Sequence, residues 1–273
     1  DCPLAIDGDP QGEVAYETDI VSDIMNSTCS LNGRLSVMAS GELNITASTM
    51  AFLGDDATSS GVEARLGSVL RITEGSILEG RGGTFGVIAN GTLVVRKSSF
   101  IRGGEPGGPA AMACNGGAAV LVNSTFRDCG LALSLGGSDP TVRGCVFTGN
   151  RQSVLLEAVL RLRIIGCSFS LSNTSWDIHG NFTSNLQITE CTFEGGGSVP
   201  MAMFIQSPFG SNSVLTLRNV TIANYTVWGL QDDHYGNIQM TGCTITSASV
   251  RLGRWAGDAA TVSDVNVSGC RFE

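Results

Sequence analysis

The sequence is poor in charged residues and has almost no lysine. Only 15% of its 273 residues are charged, Lys97 is the single lysine beside fifteen arginines, and the formal net charge is −9. An acidic chain repels the phosphates of nucleic acids, so we expect no nucleic-acid partner, and no basic patch stands out along the sequence. No apolar run approaches the eighteen or more residues of a membrane-spanning helix, so we expect no membrane span.

Helical periodicity and the common metal and nucleophile motifs are missing as well. No run of ten or more residues carries apolar side chains at a spacing of 3.6, which argues against helical bundles and helical solenoids. The sequence has no Cys-x-x-Cys pair and no Gly-x-Ser-x-Gly element. We therefore predict no metal site, no cofactor and no serine nucleophile.

What the sequence does contain is one pattern that recurs from Met50 to the last residues. With Phe193 as position zero, Cys191 lies at −2, Ile188 at −5 and Leu186 at −7. The pattern occurs ten times at steps of 21 to 29 residues, with position zero at Met50, Ile77, Phe100, Phe126, Phe147, Phe169, Phe193, Ile222, Ile245 and Phe272. A unit of this length cannot bury its apolar face alone, so neighbouring units must stack on one another.

The spacing within one repeat indicates short strands. Positions −7 and −5 alternate with polar residues, as in a half-buried strand, and the step of three from −5 to −2 requires a bend. Clusters of glycine and asparagine separate the strands, for example at Ala89-Asn90-Gly91, and supply turn conformations that β-branched residues resist. The pattern predicts an all-β parallel β-helix solenoid of about ten coils over residues 34–273. Residues 1–33 are predicted to form an N-terminal cap or an assembly arm.

These residues resemble a known fold class. The chain is similar to the right-handed parallel β-helix proteins of the pectin-lyase-like class over residues 34–273. The Cys-x-Phe-x-x-Asn segment from Cys145 to Asn150 resembles the repeat of chlamydial polymorphic outer-membrane proteins. The resemblance implies a right-handed coil, but not one function, since such helices carry lyases, hydrolases, adhesins and structural proteins.

The nine cysteines fall into two groups by their place in the repeat. Five occupy the inward −2 slot and are predicted to be a ladder of small, buried, reduced side chains, namely Cys145, Cys167, Cys191, Cys243 and Cys270. The other four, Cys2, Cys29, Cys114 and Cys129, lie outside the slot. A secreted protein permits disulfides between them, and we predict that all four are oxidised. Cys2–Cys29 and Cys114–Cys129 are the candidate pairs, and the connectivity is left open.

Asn-x-Ser/Thr sequons are in excess. The nine sequon asparagines are Asn26, Asn44, Asn90, Asn123, Asn173, Asn181, Asn219, Asn224 and Asn266. Several share outward slots of the repeat, with Asn44 and Asn266 at −6 and Asn123 and Asn219 at −3. They predict N-linked glycans and an extracellular or cell-surface location. The alternative is that asparagine is simply common in β-helix turns. The start at Asp1-Cys2, without Met, agrees with a processed secreted chain.

Candidate catalytic groups are few and match no complete pattern. Glycoside hydrolysis needs two carboxylates at a defined separation, and the candidates are Asp232 and Asp233 with His234, or Asp177 with His179. An Asp-Asp pair near a histidine resembles polygalacturonases, but their Asn-Thr-Asp, Gly-His-Gly and Arg-Ile-Lys elements are missing.

A lyase would need a calcium-binding acidic cluster with a basic residue on one face. Arg251, Arg254 and Asp258 form no recognisable arrangement of this kind. We expect no catalytic residues and no enzyme.

The last repeat is as apolar as an interior one. It presents Val265, Val267, Cys270 and Phe272, and the sequence ends at Glu273. An open solenoid end exposes apolar side chains and unpaired backbone groups, so we expect another subunit, or a continuation of the chain, to cover it. The hypothesis is a secreted structural glycoprotein that polymerises head to tail, as a filament or cell-coat subunit. The alternatives are a polysaccharide-active β-helix enzyme and a carbohydrate-binding adhesin.

Overall fold

Three long parallel sheets build the protein. The structure is a computed structural model that describes residues 14–16, 21–55, 57, 60–105, 108–137, 139–172, 176–181, 183–196, 201–206, 213–233, 237–252 and 264–273. Each sheet has eleven strands, and each strand pairs in parallel with strands of the neighbouring coils. Within the described residues no helix is present. The predicted all-β parallel solenoid is confirmed.

Strands are numbered β1 to β33 in chain order, and every third one belongs to the same sheet. Sheet A contains β1 (Val14–Tyr16), β4 (Arg34–Val37), β7 (Gly61–Ala64), β10 (Gly86–Ala89), β13 (Met112–Asn115), β16 (Leu131–Gly137), β19 (Gln152–Val159), β22 (Trp176–Asn181), β25 (Met201–Gln206), β28 (Trp228–Asp233) and β31 (Ser249–Leu252). Sheet B contains β2 (Val21–Met25), β5 (Glu42–Thr46), β8 (Val69–Thr73), β11 (Thr92–Arg96), β14 (Ala119–Val122), β17 (Thr141–Arg143), β20 (Leu162–Ile165), β23 (Leu186–Thr189), β26 (Val214–Arg218), β29 (Asn237–Thr241) and β32 (Asp264–Ser268). Sheet C contains β3 (Thr28–Leu31), β6 (Thr49–Phe52), β9 (Ile77–Gly80), β12 (Ser99–Ile101), β15 (Thr125–Arg127), β18 (Val146–Thr148), β21 (Ser168–Ser170), β24 (Thr192–Glu194), β27 (Thr221–Ala223), β30 (Thr244–Thr246) and β33 (Arg271–Phe272).

The repeat slots become columns of stacked side chains in the interior. Positions −7 and −5 lie on sheet B, where Leu162 is in register with Leu186 and Ile164 with Ile188. Position zero lies on sheet C, where five consecutive phenylalanines stack, with ring centroids 4.5 to 5.0 Å apart, namely Phe100, Phe126, Phe147, Phe169 and Phe193. All five are fully buried. Identical side chains in register can stack because parallel strands repeat at about 4.8 Å.

One repeat is shifted by a residue from the predicted slot. Met50 is in register with Leu78 rather than with Ile77, and Leu78 is buried while Ile77 is only half-buried. The turn of this coil contains an additional residue, since both Glu74 and Gly75 have positive φ angles. Side chains alternate between the two faces of a strand, so a one-residue change exchanges the inward and outward sets.

The solenoid also begins earlier than predicted. Strands β1, β2 and β3 pair with β4, β5 and β6, so they form a first coil within residues 14–31. In this coil Cys29 occupies position zero opposite Met50, and Ile24 lies opposite Ile45. This coil lies within the segment for which an N-terminal cap or an assembly arm is predicted, and that role stays a prediction. Residues 1–13 and 17–20 lie outside the described part of the chain.

The short turn between sheets B and C depends on one left-handed residue per coil. Position −3 has a positive φ in every described coil, from +48° at Asn26 to +83° at Gly75. Asparagine and glycine tolerate this conformation best and fill most of these slots, although Ala47, Lys97 and Glu190 adopt it as well. This explains why three sequons, at Asn26, Asn123 and Asn219, share the −3 slot.

Two neighbouring glycines at position −3 distinguish two effects of an added side chain on stability, namely backbone strain and steric collision. Gly144 and Gly166 have φ of +62° and +61°. A Cβ on Gly144 would lie 2.3 Å from Oδ1 of Asn123, whereas a Cβ on Gly166 has nothing within 4 Å. We expect Gly166→Ala to lower the free energy of unfolding by about 1 kcal/mol through backbone strain alone. Gly144→Ala should cost slightly more, because the exposed side chain of Asn123 must rotate away from the added methyl group.

Urea unfolding of both variants, of Asn123→Gly and of the double variant Asn123→Gly/Gly144→Ala measures these effects. Glycine at position 123 keeps the left-handed conformation and removes the colliding oxygen, so the double variant, compared with Asn123→Gly, should show a loss close to that of Gly166→Ala. Equal losses for Gly144→Ala and Gly166→Ala would contradict the predicted collision.

The −2 column beside this turn hydrogen-bonds the coils to one another. Its members are Ser48, Ser76, Ser98, Ser124, Cys145, Cys167, Cys191, Val220, Cys243 and Cys270. The side-chain hydroxyl of Ser98 donates to the carbonyl of Ile72 at 3.2 Å, and the thiol of Cys191 donates to that of Ile164 at 3.6 Å. The backbone N–H of Cys145 donates to Sγ of Cys167 at 3.4 Å. Apart from Val220, the column therefore consists of small hydrogen-bonding groups, serine early and cysteine late.

Candidate functional site

The C-terminal coil exposes side chains that every other coil buries. We call Val265, Val267, Cys270 and Phe272 the end face. Their register partners Ile238, Met240 and Ile245 are at most 1% exposed, whereas Val265, Val267 and Phe272 are 45%, 45% and 54% exposed and Cys270 is half-buried. The predicted assembly residues are therefore brought together as one apolar surface.

Unpaired strand edges surround the end face. Strands β31, β32 and β33 each pair on one side, with β28, β29 and β30, and each is the last strand of its sheet among the described residues. Arg271 and Glu273 flank Phe272 and form an exposed ion pair. Such an edge offers N–H and C=O groups to another strand, which is the usual route to pairing between chains.

A second group of interest is a carboxylic acid enclosed by three hydroxyls. Asp177 is 1% exposed, and its Oδ1 accepts hydrogen bonds from the hydroxyls of Ser172 and Ser153, the latter at 3.1 Å. Its Oδ2 accepts one from the hydroxyl of Tyr225 at 2.5 Å. Burial raises the pKa of Asp177, while the hydroxyl donors oppose that rise. The cluster joins elements of different coils, and all four of its side chains are buried.

The tyrosine reaches this cluster because the intervening coil has a glycine. A Cβ on Gly195 would lie 2.6 Å from the carbonyl oxygen of Asn224 and 2.8 Å from Cδ1 of Tyr225. Burial and the neighbouring Asp177 carboxylate raise the pKa of Tyr225, so its hydroxyl keeps its proton and remains a donor. The arrangement stabilises the turn between sheets C and A.

His179 does not join Asp177 in an acid–base pair. Its ring packs against Trp176 and Phe204, with ring centroids 4.8 and 5.3 Å away, and burial lowers its pKa. Trp176 is in register with Met201, which in turn is in register with Trp228. Ile205 lies opposite Gly180. Trp255 lies outside the described residues.

The other predicted catalytic candidates lie at or beyond the limits of the described residues. Asp232 and Asp233 are the last two residues of β28, in register with Ile205 and Gln206. Arg251 belongs to β31. His234, Arg254 and Asp258 lie outside the described residues. Over the part of the chain that the structure describes, no group of three or more potential metal ligands occurs.

The sequon asparagines differ in accessibility. Those exposed to solvent are Asn26, Asn123, Asn219, Asn224 and Asn266, and those half-buried are Asn44, Asn90 and Asn181. The amide nitrogen of Asn44 donates to Asp23 at 2.8 Å, and that of Asn224 donates to Glu194. Asn173 lies outside the described residues. Asn26, Asn123, Asn219 and Asn266 are therefore the best-placed acceptors for a glycan.

The cysteines agree only partly with the prediction. The five ladder cysteines are free, and all but the half-buried Cys270 are buried. Cys29 is disulfide-bonded, and its predicted partner Cys2 lies outside the described residues, so that pairing stays a prediction. A hydrogen bond shared with Cys167 and burial raise the pKa of the Cys145 and Cys191 thiols.

The predicted pair Cys114–Cys129 is wrong, since both residues are free and buried. Cys114 is in register with Leu135, whereas Cys129 lies before the first residue of that strand, Leu131. Leu131 to Leu135 alone span about 13 Å of strand. A disulfide requires Cα atoms within about 6.8 Å. Burial instead raises the pKa of Cys129 to about 12.

Stacked three-sheet coils with interior columns and short left-handed turns define a parallel β-solenoid. The family described as right-handed β-helix region matches residues 110–272, more than half of the chain, and the protein belongs to that family. No curated protein matches the sequence. Among the described residues the structure has no helix that is long and apolar enough to cross a membrane. Family membership does not decide catalysis, because β-helices include both enzymes and non-enzymes.

Proposed function

We propose that this protein is an extracellular structural glycoprotein that polymerises through its end face. The observation that carries the proposal is the contrast between the exposed Val265, Val267 and Phe272 and their fully buried counterparts in the preceding coils. A second copy that covers these side chains would bury apolar area, which stabilises association by roughly 25 cal/mol per Å². It would also pair the open strand edges.

The two ends of the solenoid are different surfaces. In the first coil Ile24, Cys29 and Leu31 are at most 2% exposed, whereas their counterparts at the other end are open. A contact between unlike surfaces is heterologous and propagates into a filament unless rotation closes it. We therefore place the head-to-tail contact between the end face of one copy and the N-terminal segment of the next.

The extracellular location and the N-linked glycans belong to the same proposal. They are supported by the nine sequons and by the exposure of Asn26, Asn123, Asn219 and Asn266 on turns and outer sheet faces. The intact mass of the natural material, before and after removal of N-glycans, tests this part. A mass equal to the 28.4 kDa polypeptide would contradict it.

Assembly is tested with charge placed on the end face. We expect wild-type protein to form filaments at high concentration, visible by electron microscopy and as large species in light scattering. Phe272→Asp and Val267→Asp should abolish them, because a carboxylate in the contact would have to be buried without a partner. Val146→Asp is the matched control, since Val146 is 38% exposed on sheet C, away from the end face.

The results distinguish between the contacts that could cover the end face. Filaments lost in the end-face variants and retained in the control support the proposal. A monodisperse dimer would indicate contact between two end faces and would contradict the head-to-tail arrangement. A wild-type monomer with residues 265–273 protected from hydrogen exchange would overturn self-assembly.

A further inference from the structure

The column at position −2 contains three pairs of stacked cysteines. The pairs join consecutive coils and are Cys145–Cys167, Cys167–Cys191 and Cys243–Cys270. In every pair the backbone N–H of the earlier cysteine donates to Sγ of the later one at 3.4 Å. Parallel strands lie about 4.8 Å apart, and a disulfide needs Cα atoms about 4.4 to 6.8 Å apart. Each pair therefore has the spacing that a disulfide between two coils requires.

Access to solvent distinguishes the last pair from the other two. Cys145, Cys167 and Cys191 are at most 2% exposed and have further coils on both sides. We call them the buried trio. Cys270 is the one ladder cysteine that is half-buried, and no described strand covers it. A dissolved oxidant can thus reach the sulfur of Cys270 without opening the solenoid, whereas it cannot reach the buried trio in this way.

The surroundings of Cys243 suit the second thiol of a two-step oxidation. Its Sγ lies 3.6 Å from the carbonyl oxygens of both Leu217 and Thr241. Burial and the neighbouring Cys270 raise the pKa of the Cys243 thiol, so it keeps its proton. The accessible Cys270 is therefore the first of the two to react.

We propose that Cys243 and Cys270 form a disulfide when the protein meets a small disulfide such as oxidised glutathione, which makes the last coil sensitive to redox conditions. First, the Cys270 thiolate attacks one sulfur of the small disulfide, forms a mixed disulfide and releases one small thiol. Next, the sulfur of Cys243 gives up its proton, attacks Sγ of Cys270 and releases the second small thiol.

The two steps balance. Two protein thiols are oxidised, one small disulfide is reduced to two thiols, and the two protons of the protein thiols end on those products. This pair thus departs from the reduced state that is predicted for the ladder from its place in the repeat.

The disulfide would secure a strand that few hydrogen bonds hold. Strand β33 has two residues. The N–H of Arg271 donates to the carbonyl of Cys243 at 2.8 Å, and the N–H of Glu273 donates to that of Ile245 at 2.9 Å. A bond between residues 27 positions apart in the sequence restricts the unfolded chain and so opposes opening of this coil.

A consequence for assembly rests on the proposed function. Phe272 of the end face lies two residues after Cys270, so the disulfide would hold Phe272 in register. If copies meet at the end face, oxidised protein should form filaments at a lower concentration than reduced protein. The next copy covers Cys270 in such a filament, so oxidation comes before assembly.

Peptide mapping tests the disulfide directly. Reduced, folded protein is treated with oxidised glutathione, its free thiols are blocked, and its peptides are mapped without reduction. We expect a bond between Cys243 and Cys270 and none within the buried trio. Hydrogen exchange of the β33 amides should slow roughly tenfold or more relative to the reduced protein, because the disulfide opposes local opening.

Serine variants are matched controls, because serine occupies the same column at Ser98 and Ser124. Cys270→Ser and Cys243→Ser should each remove the bond and the slower exchange. Cys243→Ser should also accumulate the mixed disulfide of Cys270 with glutathione, since the second thiol is missing. Cys191→Ser, in the buried trio, should change neither the bond nor the exchange. Circular dichroism verifies that all three variants are folded.

Three results would contradict the proposed disulfide. These are no bond between Cys243 and Cys270 in oxidised wild-type protein, a bond within the buried trio that forms equally fast, and a disulfide between two copies through Cys270 in place of the bond within one chain. Filament formation is read separately by electron microscopy. A lack of filaments from both redox forms would contradict the proposed assembly alone, and equal filament formation by both would contradict its redox control.

Discussion

Replacing Phe169 by alanine should lower the free energy of unfolding by about 3–5 kcal/mol, the usual cost of truncating a buried phenylalanine. Phe169 stacks on Phe147 and Phe193 with centroid distances of 4.8 and 4.5 Å and nearly parallel rings. Its removal leaves a cavity between two coils and breaks two stacked pairs, each worth roughly 0.5–1.5 kcal/mol beyond buried area. Equilibrium urea unfolding, followed by far-ultraviolet circular dichroism, measures the loss.

Phe169→Leu is the matched control. Leu78, Ile222 and Ile245 already occupy the same column, so an aliphatic side chain fits the backbone there. We expect this variant to lose about 1 kcal/mol, as for other hydrophobic substitutions of similar volume. A loss below about 1 kcal/mol for Phe169→Ala, well under the range for buried aromatics, would show that position zero is not an interior column.

Replacing Asp177 by alanine should cost about 3 kcal/mol, because the hydroxyls of Ser153, Ser172 and Tyr225 lose a common acceptor. Each buried polar group left without a partner costs roughly 1–3 kcal/mol, partly offset here because a buried carboxyl is removed as well. A double-mutant cycle with Tyr225→Phe should give a coupling energy above about 1 kcal/mol, since the two side chains share a hydrogen bond. Additive losses would contradict that bond.

The pH dependence of the same site has a definite sign. Burial raises the pKa of Asp177 above its ordinary 3.8, so the folded state binds the proton more tightly than the unfolded chain. The contribution of this protonation to the free energy of unfolding is complete below the pKa of Asp177 in the unfolded chain. It is lost as the pH rises through the pKa of Asp177 in the folded state. Asp177→Asn does not titrate. From about pH 4 upward, wild-type stability should therefore fall relative to this variant, and parallel pH profiles would overturn the assignment.

Much of the solenoid followed from local residue patterns. The repeat pattern predicted the interior columns. It placed Leu186 and Ile188 in the alternating slots −7 and −5, Cys191 after the three-residue step at −2, and Phe193 at position zero. The prediction failed where the pattern gave no signal. The additional turn residue before Leu78 and the degenerate first coil around Ile24 and Cys29 are settled by strand register, which only the neighbouring coils fix.

The candidate surfaces were predictable to different degrees. The end face follows from the last repeat itself, because Val265, Val267 and Phe272 have the same slots as buried residues upstream. The cluster around Asp177 does not, since Asp177 and Tyr225 are 48 residues apart and become neighbours only when the coils stack. The fold likewise decides that Cys114 and Cys129, only 15 residues apart, do not pair.

The sequence by itself determined that this chain is a parallel β-solenoid, because inward and outward positions, turns and left-handed residues are properties of a single coil that repeat in every coil. The tertiary structure alone decided which outward side chains share a face, which buried polar groups meet and which cysteines can pair. Those relations join residues of different coils, and their geometry depends on the turn lengths between them. One additional or one missing turn residue moves every following side chain to the opposite face of its strand, until the next turn restores the register.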